Sequence, residues 1–285
     1  MMHSKLLDFI KLLRPEQWYK NILIFIPLVF SANLFNKNMF ILSIFGFLIL
    51  CLVSSANYMI NDIVDKKRDV LHPEKSKRPI ASGVVSVRLA IFFAIIIFAF
   101  SLSFAYQLSK PFFICLIAII AITTSYSFGL KNIIFLDNLL ISSNFVLRTL
   151  SGIFLLNVKM SYWVVLVIFF LASYLVYTKR LGDLELKNQR HKLVLFEYEK
   201  INLNSVVVGN MFMIFVLYSL YSVSTHELMI FTLPFVLHGI YRHYYLVQTN
   251  KKIARRTELI FFDSGILISL LLFTLATIYI LYFLH

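Results

Sequence analysis

The stretch Asn61-Asp62-Ile63-Val64-Asp65-Lys66-Lys67-Arg68-Asp69 sets three carboxylates at i, i+3 and i+7. On a helix that spacing lines them along one side. Like charges so placed repel, and something positive must offset them. Lys66, Lys67 and Arg68 are adjacent but point largely elsewhere on the cylinder. A divalent cation answers the need better, because Mg²⁺ prefers carboxylate oxygen and binds one or two carboxylates together with substrate phosphates. Asp62, Asp65 and Asp69 are therefore the expected metal ligands and catalytic residues. Asn61, and Asn57 one turn earlier, can orient a phosphate or a metal-bound water. Downstream, Lys75, Lys77 and Arg78 supply charge for a phosphate, and Pro73 and Pro79 stiffen the loop that holds them. Gly83 reads as a turn. The plainer alternative is a solvated helix end with incidental acids. Three acids at this spacing, followed by His72-Pro73-x-Lys75-x-x-Arg78-Pro79, count against it.

The elements that must position these residues are apolar. Of 285 residues 60% are hydrophobic and only 14% charged, whereas a soluble domain is near half apolar and about a quarter charged. The apolar runs are long, and about 20 such residues suffice to cross a bilayer as a helix. The expected fold class is all-α: a polytopic membrane protein forming one domain over residues 1–285. Nine spans are expected, at 20–35, 39–60, 87–106, 111–128, 133–156, 161–178, 204–223, 228–247 and 261–284. Residues 3–16 read as an amphipathic lead-in.

Lys and Arg gather in alternate connections: before the first span, between spans two and three, four and five, six and seven, and around the eight-to-nine loop. The opposite connections hold only Lys37, Lys110 and Lys159. The positive-inside rule then puts the N-terminus in the cytoplasm and the C-terminus outside. The net charge of +13 serves topology and lipid contact, not nucleic acid. Most acidic residues share the cytoplasmic side, although they contribute little to orientation. Long polar loops on one face, rich in both signs, mark that face as the one that does chemistry. Cys51 and Cys115 each lie in an apolar run and read as packing residues. His238 and His243, five apart, have poor metal spacing on a helix and read as structural.

The motif Asn61-Asp62-x-x-Asp65-x-x-x-Asp69, followed by Arg78-Pro79-Ile80-Ala81-x-Gly83, resembles the first aspartate motif of the UbiA superfamily of intramembrane prenyltransferases. The resemblance covers nearly the whole chain. It implies nine transmembrane helices around a central cavity, with a Mg²⁺-diphosphate site at its cytoplasmic edge. Ordinary members carry a second aspartate motif, D-x-x-x-D, between spans six and seven. Here Lys179-Arg180-Leu181-Gly182-Asp183-Leu184 stands in its place, and Lys187, not an acid, follows Asp183 four residues on.

That substitution is similar to one branch, the decaprenyl-phosphate phosphoribosyltransferases. Arg14-Pro15-x-Gln17-Trp18-x-Lys20-Asn21, Ser125-Tyr126-Ser127-Phe128-Gly129-Leu130-Lys131, Val146-Leu147-Arg148-Thr149-Leu150-Ser151-Gly152 and Arg242-His243-Tyr244 also resemble that branch. Its last loop usually runs on through a Pro-Glu pair, where this chain has Arg256-Thr257-Glu258. The resemblance implies transfer of phosphoribose from 5-phosphoribosyl 1-diphosphate to a polyprenyl phosphate. Two anionic substrates need more cations than a neutral acceptor does. Arg14, Lys20, Arg148, Lys179 and Arg180 provide them, and Asp183 completes the expected substrate-binding set with Asn61, Lys75 and Arg78. Arg148 stands out because charge inside a span is expensive and is functional by default. A phosphate monoester is already ionised, so no general base is required, in keeping with the lack of a well-placed His. A prenyl transferase acting on a small acceptor is the alternative enzyme. A carrier or channel would instead spread ionisable residues along several spans.

Overall fold

The computed structural model describes residues 9–184, 193–250, 253 and 257–284. Among them every element of regular secondary structure is a helix. The helices are α1 (Ile26–Phe30), α2 (Lys37–Asp69), α3 (Val87–Leu108), α4 (Lys110–Ser127), α5 (Leu136–Leu156), α6 (Tyr162–Leu184), α7 (Leu193–Glu199), α8 (Leu203–Thr225), α9 (Leu233–Thr249) and α10 (Ser264–Phe283). Seven of these, α2 to α6, α8 and α10, are long and apolar enough to cross a membrane. The chain is a multi-pass membrane protein.

The expected first and eighth spans are broken by proline. Residues 20–30 fall on a 3₁₀ helix, Pro15–Phe25, that passes into the short α1 with Pro27 in its first turn, and 31–35 lie beyond its end. Residues 228–247 divide into a 3₁₀ turn, Glu227–Thr232, and α9, whose first turn holds Pro234. Proline lacks the N–H that an uninterrupted ladder needs, and it is tolerated where a helix begins.

The long helices start at side-chain caps. Asn36 accepts N–H bonds from Asn38 and Met39, Ser86 from Leu89, Ser109 from Phe112, and Asn202 from Ser205. Each satisfies a backbone donor that has no partner within its own helix. Asn157, with φ 51°, closes α5, and the Val158 N–H returns to the Ile153 carbonyl, as in a left-handed helix stop.

Two compact units are resolved. One comprises Met1–Lys131 with Leu147–Lys159, the other Asn132–Val146 with Met160–His285. In the first, α2 packs against α3, α4 and the Pro15–Phe25 helix. The seam with α3 is made of small residues, Ala90, Ala94, Ser101 and Ala105, all buried, which lets two backbones approach closely. Ile24, Leu50, Val53, Leu116 and Leu155 form one core cluster, and Leu12, Met59 and Ile80 anchor another beneath the aspartate end of α2. In the second unit α6 packs against α8, and Tyr174, Tyr177, Tyr198, Val207 and Ile214 share a core. Side chains such as Phe92, Ile95 and Phe100 on α3 and Ile268, Leu271 and Leu275 on α10 are exposed. In a membrane protein these are lipid-facing, since hydrocarbon is no penalty to them.

Candidate active site

α2 has 33 residues, about 50 Å at 1.5 Å per residue, against a hydrocarbon core of about 30 Å. It is long enough to carry its last turns, Asn61 to Asp69, out to the polar edge. Asp62 and Asp69, separated by two turns, lie on one flank and converge on one guanidinium. Arg78 Nη1 donates to Asp62 Oδ1 at 3.1 Å and to Asp69 Oδ2 at 2.5 Å. Arg14 Nη2 also donates to Asp62 Oδ1, while Lys75 Nζ lies 3.9 Å from Asp69 Oδ1. Both carboxylates are buried. Buried charges persist only when paired, and removing one partner costs about 3–5 kcal/mol.

Asp65 goes its own way. At 100° per residue it lies about 60° around the helix from Asp62, and it accepts Lys131 Nζ at 2.6 Å. The trio is thus split two and one, each part answered by a basic residue from elsewhere in the first unit. Asn61 Oδ1 accepts the Ser127 hydroxyl at 3.0 Å.

The loop after α2 is built to present Arg78. His72 Nδ1 accepts the backbone N–H groups of Glu74 and Lys75 at 3.2 and 3.4 Å, which fixes the tautomer with its proton on Nε2. Burial, and then the Lys75 charge beside it, hold the imidazole below its usual pKa. Ile80 and Val85 are buried pegs, and Val85 N–H donates to the Pro79 carbonyl. Gly83 turns the chain with φ 80°, a region where a Cβ is disfavoured.

Arg14 also adopts φ 51°, at the start of the Pro15–Phe25 helix, with its guanidinium 5.2 Å from the Tyr58 ring centroid. Lys20 lies 5.8 Å from the Tyr19 ring, and no described contact joins it to the aspartates. The Trp18 indole N–H donates to Ser55 Oγ at 3.0 Å.

Arg148 is buried in the same unit. Its Nε donates to Asn21 Oδ1 at 2.9 Å, and Ser54 Oγ donates to the same oxygen at 3.2 Å. This contact depends on Gly152, one turn further along α5. A Cβ there would stand 2.3 Å from the Ile24 backbone oxygen, so only glycine allows α5 this close to the Pro15–Phe25 helix.

In the second unit Arg180 is buried and paired with Asp137. Arg180 Nε and Nη2 lie 3.1 and 2.8 Å from Asp137 Oδ2. Arg180 Nη1 is 3.8 Å from Asp183 Oδ2. Sequence reading treats Arg180 as part of a surplus of cations; here its charge is matched by carboxylates. Lys179 is exposed, being one residue and about 100° away on α6. Glu185, Lys187 and Arg256 lie outside the described residues.

Sequence reading did not single out Lys131, Asp137 or Tyr198 as site residues. Lys131 closes the stretch Ser125-Tyr126-Ser127-Phe128-Gly129-Leu130-Lys131, and that place is its signal in the sequence. Asp137 and Tyr198 find their partners through contacts 43 and 61 residues apart, which spacing alone does not reveal.

The fit of a metal can be judged on the donors. Among the described residues no three His, Cys, Asp or Glu side chains form a ready-made cage. Mg²⁺ seldom uses one, since it keeps waters and shares substrate phosphates. On Asp62, Asp65 and Asp69 the hydrogen bonds present engage one oxygen each. One turn before Asn61, the buried Asn57 Oδ1 has no hydrogen-bond partner, and a buried polar atom of this kind calls for one. Carboxylate and amide oxygens along one helix end suit a hard divalent cation.

Residues 22–266 match the family model described as the UbiA prenyltransferase family. Among curated proteins, the decaprenyl-phosphate phosphoribosyltransferase of Corynebacterium glutamicum is 35% identical over 179 residues, 61% of this chain and 54% of that protein. The protein of the same name from Mycolicibacterium smegmatis is 33% identical over 181 residues, 62% of this chain and 57% of that one. The chain thus spans a little over half the length of the curated relatives it matches. Among solved structures, a UbiA homologue from Archaeoglobus fulgidus, bound to DMAPP and Mg²⁺, superposes with a TM-score of 0.75. It is 18% identical, with 96% of this chain and 99% of that chain covered, and the likeness establishes the fold.

Proposed function

Because the chain belongs to the UbiA prenyltransferase family, we propose that it transfers 5-phosphoribose from 5-phosphoribosyl 1-diphosphate to a polyprenyl phosphate and releases diphosphate. The observation that carries this reading is the Arg180–Asp137 pair beside Asp183. A fixed cation stands where the resemblance implies a second metal-binding acidic motif. Two relatives named decaprenyl-phosphate phosphoribosyltransferase, at 35% and 33% identity, support it.

Asp62, Asp65 and Asp69 would hold Mg²⁺, which, when bound, offsets the charge of the departing diphosphate. Arg78 and Lys75 are placed on the same flank and give the diphosphate oxygens charge-assisted hydrogen bonds. Arg14 pairs with Asp62 and holds it in place. Lys131 holds Asp65 in place through its 2.6 Å contact, and Ser127 orients Asn61. Lys20 and Arg148 in the first unit, and Lys179, Arg180 and Asp183 in the second, are the other residues expected to bind the two anionic substrates. As the bond from ribose C1 to the diphosphate oxygen breaks, C1 gains positive character. An oxygen of the acceptor phosphate, already anionic, forms the new bond. The residues need only position both partners and exclude water.

This chemistry belongs to the cytoplasmic face, with the N-terminus in the cytoplasm, the C-terminus outside and nine spans forming one functional domain. In this reading the broken helices at Pro15–Phe30 and Glu227–Thr249 would be the two spans beyond the seven long ones. Membranes containing the protein, given labelled donor, polyprenyl phosphate and Mg²⁺, should form a lipid-linked phosphoribose. A folded protein that forms none refutes the proposal. Turnover of a prenyl diphosphate with an aromatic acceptor in the same membranes would favour the alternative, a prenyl transferase that uses the same aspartate helix.

A further inference from the structure

Asp137 lies in the first turn of α5 and is fully buried. A helix N-terminus favours negative charge there. Its two oxygens are divided between two elements. Oδ2 takes one edge of the Arg180 guanidinium, Nε and Nη2. Oδ1 accepts the Tyr198 hydroxyl at 2.6 Å. The Tyr198 oxygen in turn accepts the Phe135 N–H at 3.2 Å. Phe135 has φ 63°, a left-handed conformation that bulky residues rarely adopt and that tends to persist at functional sites.

Tyr198 is fully buried on α7. Phe135 and Tyr177 meet its ring edge-on, each with centroids 6.1 Å away. Burial and the neighbouring carboxylate raise its pKa, so the hydroxyl remains a donor at working pH. The relay runs from the Phe135 backbone through Tyr198 and Asp137 to Arg180. It fixes the plane and axis of a side chain that otherwise has many rotamers. Fixing it in advance lowers the entropy lost when an anion binds. The other guanidinium nitrogen, Nη1, is the one directed to the Asp183 side.

We infer that Asp137 and Tyr198 are positioning residues that hold Arg180 ready for a substrate phosphate group. The inference rests on the reading of Arg180 as a substrate-binding residue. A relay that merely braced the helices would affect stability without affecting anion affinity, and the two roles separate experimentally.

The full chain in lipid nanodiscs is titrated with inorganic diphosphate and Mg²⁺ by calorimetry, and steady-state kinetics are measured with each substrate varied. Tyr198→Phe keeps the ring and removes the hydrogen bond to Asp137 together with the acceptor of the Phe135 N–H. It is expected to weaken diphosphate binding about tenfold and to raise the donor KM similarly, with the KM for polyprenyl phosphate unchanged. In an Arg180→Lys background the same substitution should have no further effect, because the guanidinium edge that it orients is gone. Asp137→Asn, which keeps the shape and loses the charge, provides a second route should Tyr198→Phe fold poorly. Its donor KM should rise at least as much. Unchanged diphosphate affinity in a folded Tyr198→Phe protein overturns the inference, and so does an equal loss in the Arg180→Lys background. If the wild type binds diphosphate but makes no lipid-linked phosphoribose, the reaction assignment fails alone. The relay is then decided by the diphosphate affinities.

Discussion

Gly152→Ala tests how tightly the buried arginine is held. The new Cβ would lie 2.3 Å from the Ile24 carbonyl oxygen and 3.1 Å from both Ile24 C and Pro27 Cγ. The nearest of these atoms is backbone and cannot rotate aside, so α5 and the Pro15–Phe25 helix must part by about 1 Å to reach ordinary contact. Arg148 sits one turn away, with Nε 2.9 Å from Asn21 Oδ1. Parting by that amount stretches the contact to about 4 Å, beyond a hydrogen bond. Overpacking costs about 1–3 kcal/mol, and the broken bond to a buried charged group adds about 1–3 kcal/mol. Alanine's better helix propensity returns up to about 1 kcal/mol. The net expectation is a loss of about 1–6 kcal/mol. Gly209→Ala in α8 is the matched control: nothing lies within 4 Å of its Cβ, and it should be neutral or slightly stabilising. Unfolding midpoints of both variants in detergent, beside the wild type, provide the comparison. A Gly152→Ala protein that unfolds at or above the wild-type midpoint refutes the close-approach argument.

Three further outcomes are expected. Asp65→Asn should leave the protein in the membrane and reduce turnover at least about 100-fold; full activity would remove Asp65 from the metal set. Arg78→Ala leaves buried Asp62 and Asp69 without their shared cation and should raise the donor KM, whereas Arg78→Lys keeps one nitrogen for the two contacts that Nη1 alone makes and should restore part of the loss; donor KM measured for both variants tests this, and an equally raised value in Arg78→Lys would contradict it. The third concerns pH: a hydrogen bond from Arg242 holds the Asp263 carboxyl below its usual range. A depressed folded pKa contributes stability above the unfolded value, near 3.9, and that stability is lost as pH falls through the lower folded value. Asp263→Asn should therefore differ from wild type in unfolding midpoint at pH 6, and the two should converge in strong acid.

The helices were legible where a continuous apolar run met a cap residue, as at Asn36, Ser86, Ser109 and Asn202. The first and eighth spans were harder, because hydropathy counts Pro27 and Pro234 among apolar neighbours while the backbone registers each as a missing N–H. The aspartate motif was legible as a source of charge at one helix end. Its division into Asp62 and Asp69 on Arg78, and Asp65 on Lys131, was not, because the partners arrive from other elements. Arg148 and Asp137 show the limit most plainly. Both lie on α5, where an ion pair with the Asp137 neighbourhood is the simplest structural role for Arg148. In the fold Asp137 goes to Arg180 and Tyr198, and Arg148 hydrogen-bonds to Asn21.

The clasp on Asp62 and Asp69 also has a bearing on biogenesis. Its parts, Arg14, Asp62, Asp69, Lys75 and Arg78, all fall within the first 78 residues. A chain made from the N-terminus can therefore neutralise these two buried acids while α3 is still being synthesised. Charge entering a bilayer unpaired is expensive, so early pairing lets α2 insert with its polar end already satisfied. Lys131 and Arg148 come later in synthesis. A ribosome stalled a few tens of residues beyond Arg78 would expose this partly assembled centre, and crosslinking between positions 62 and 78 in such a nascent chain would reveal it.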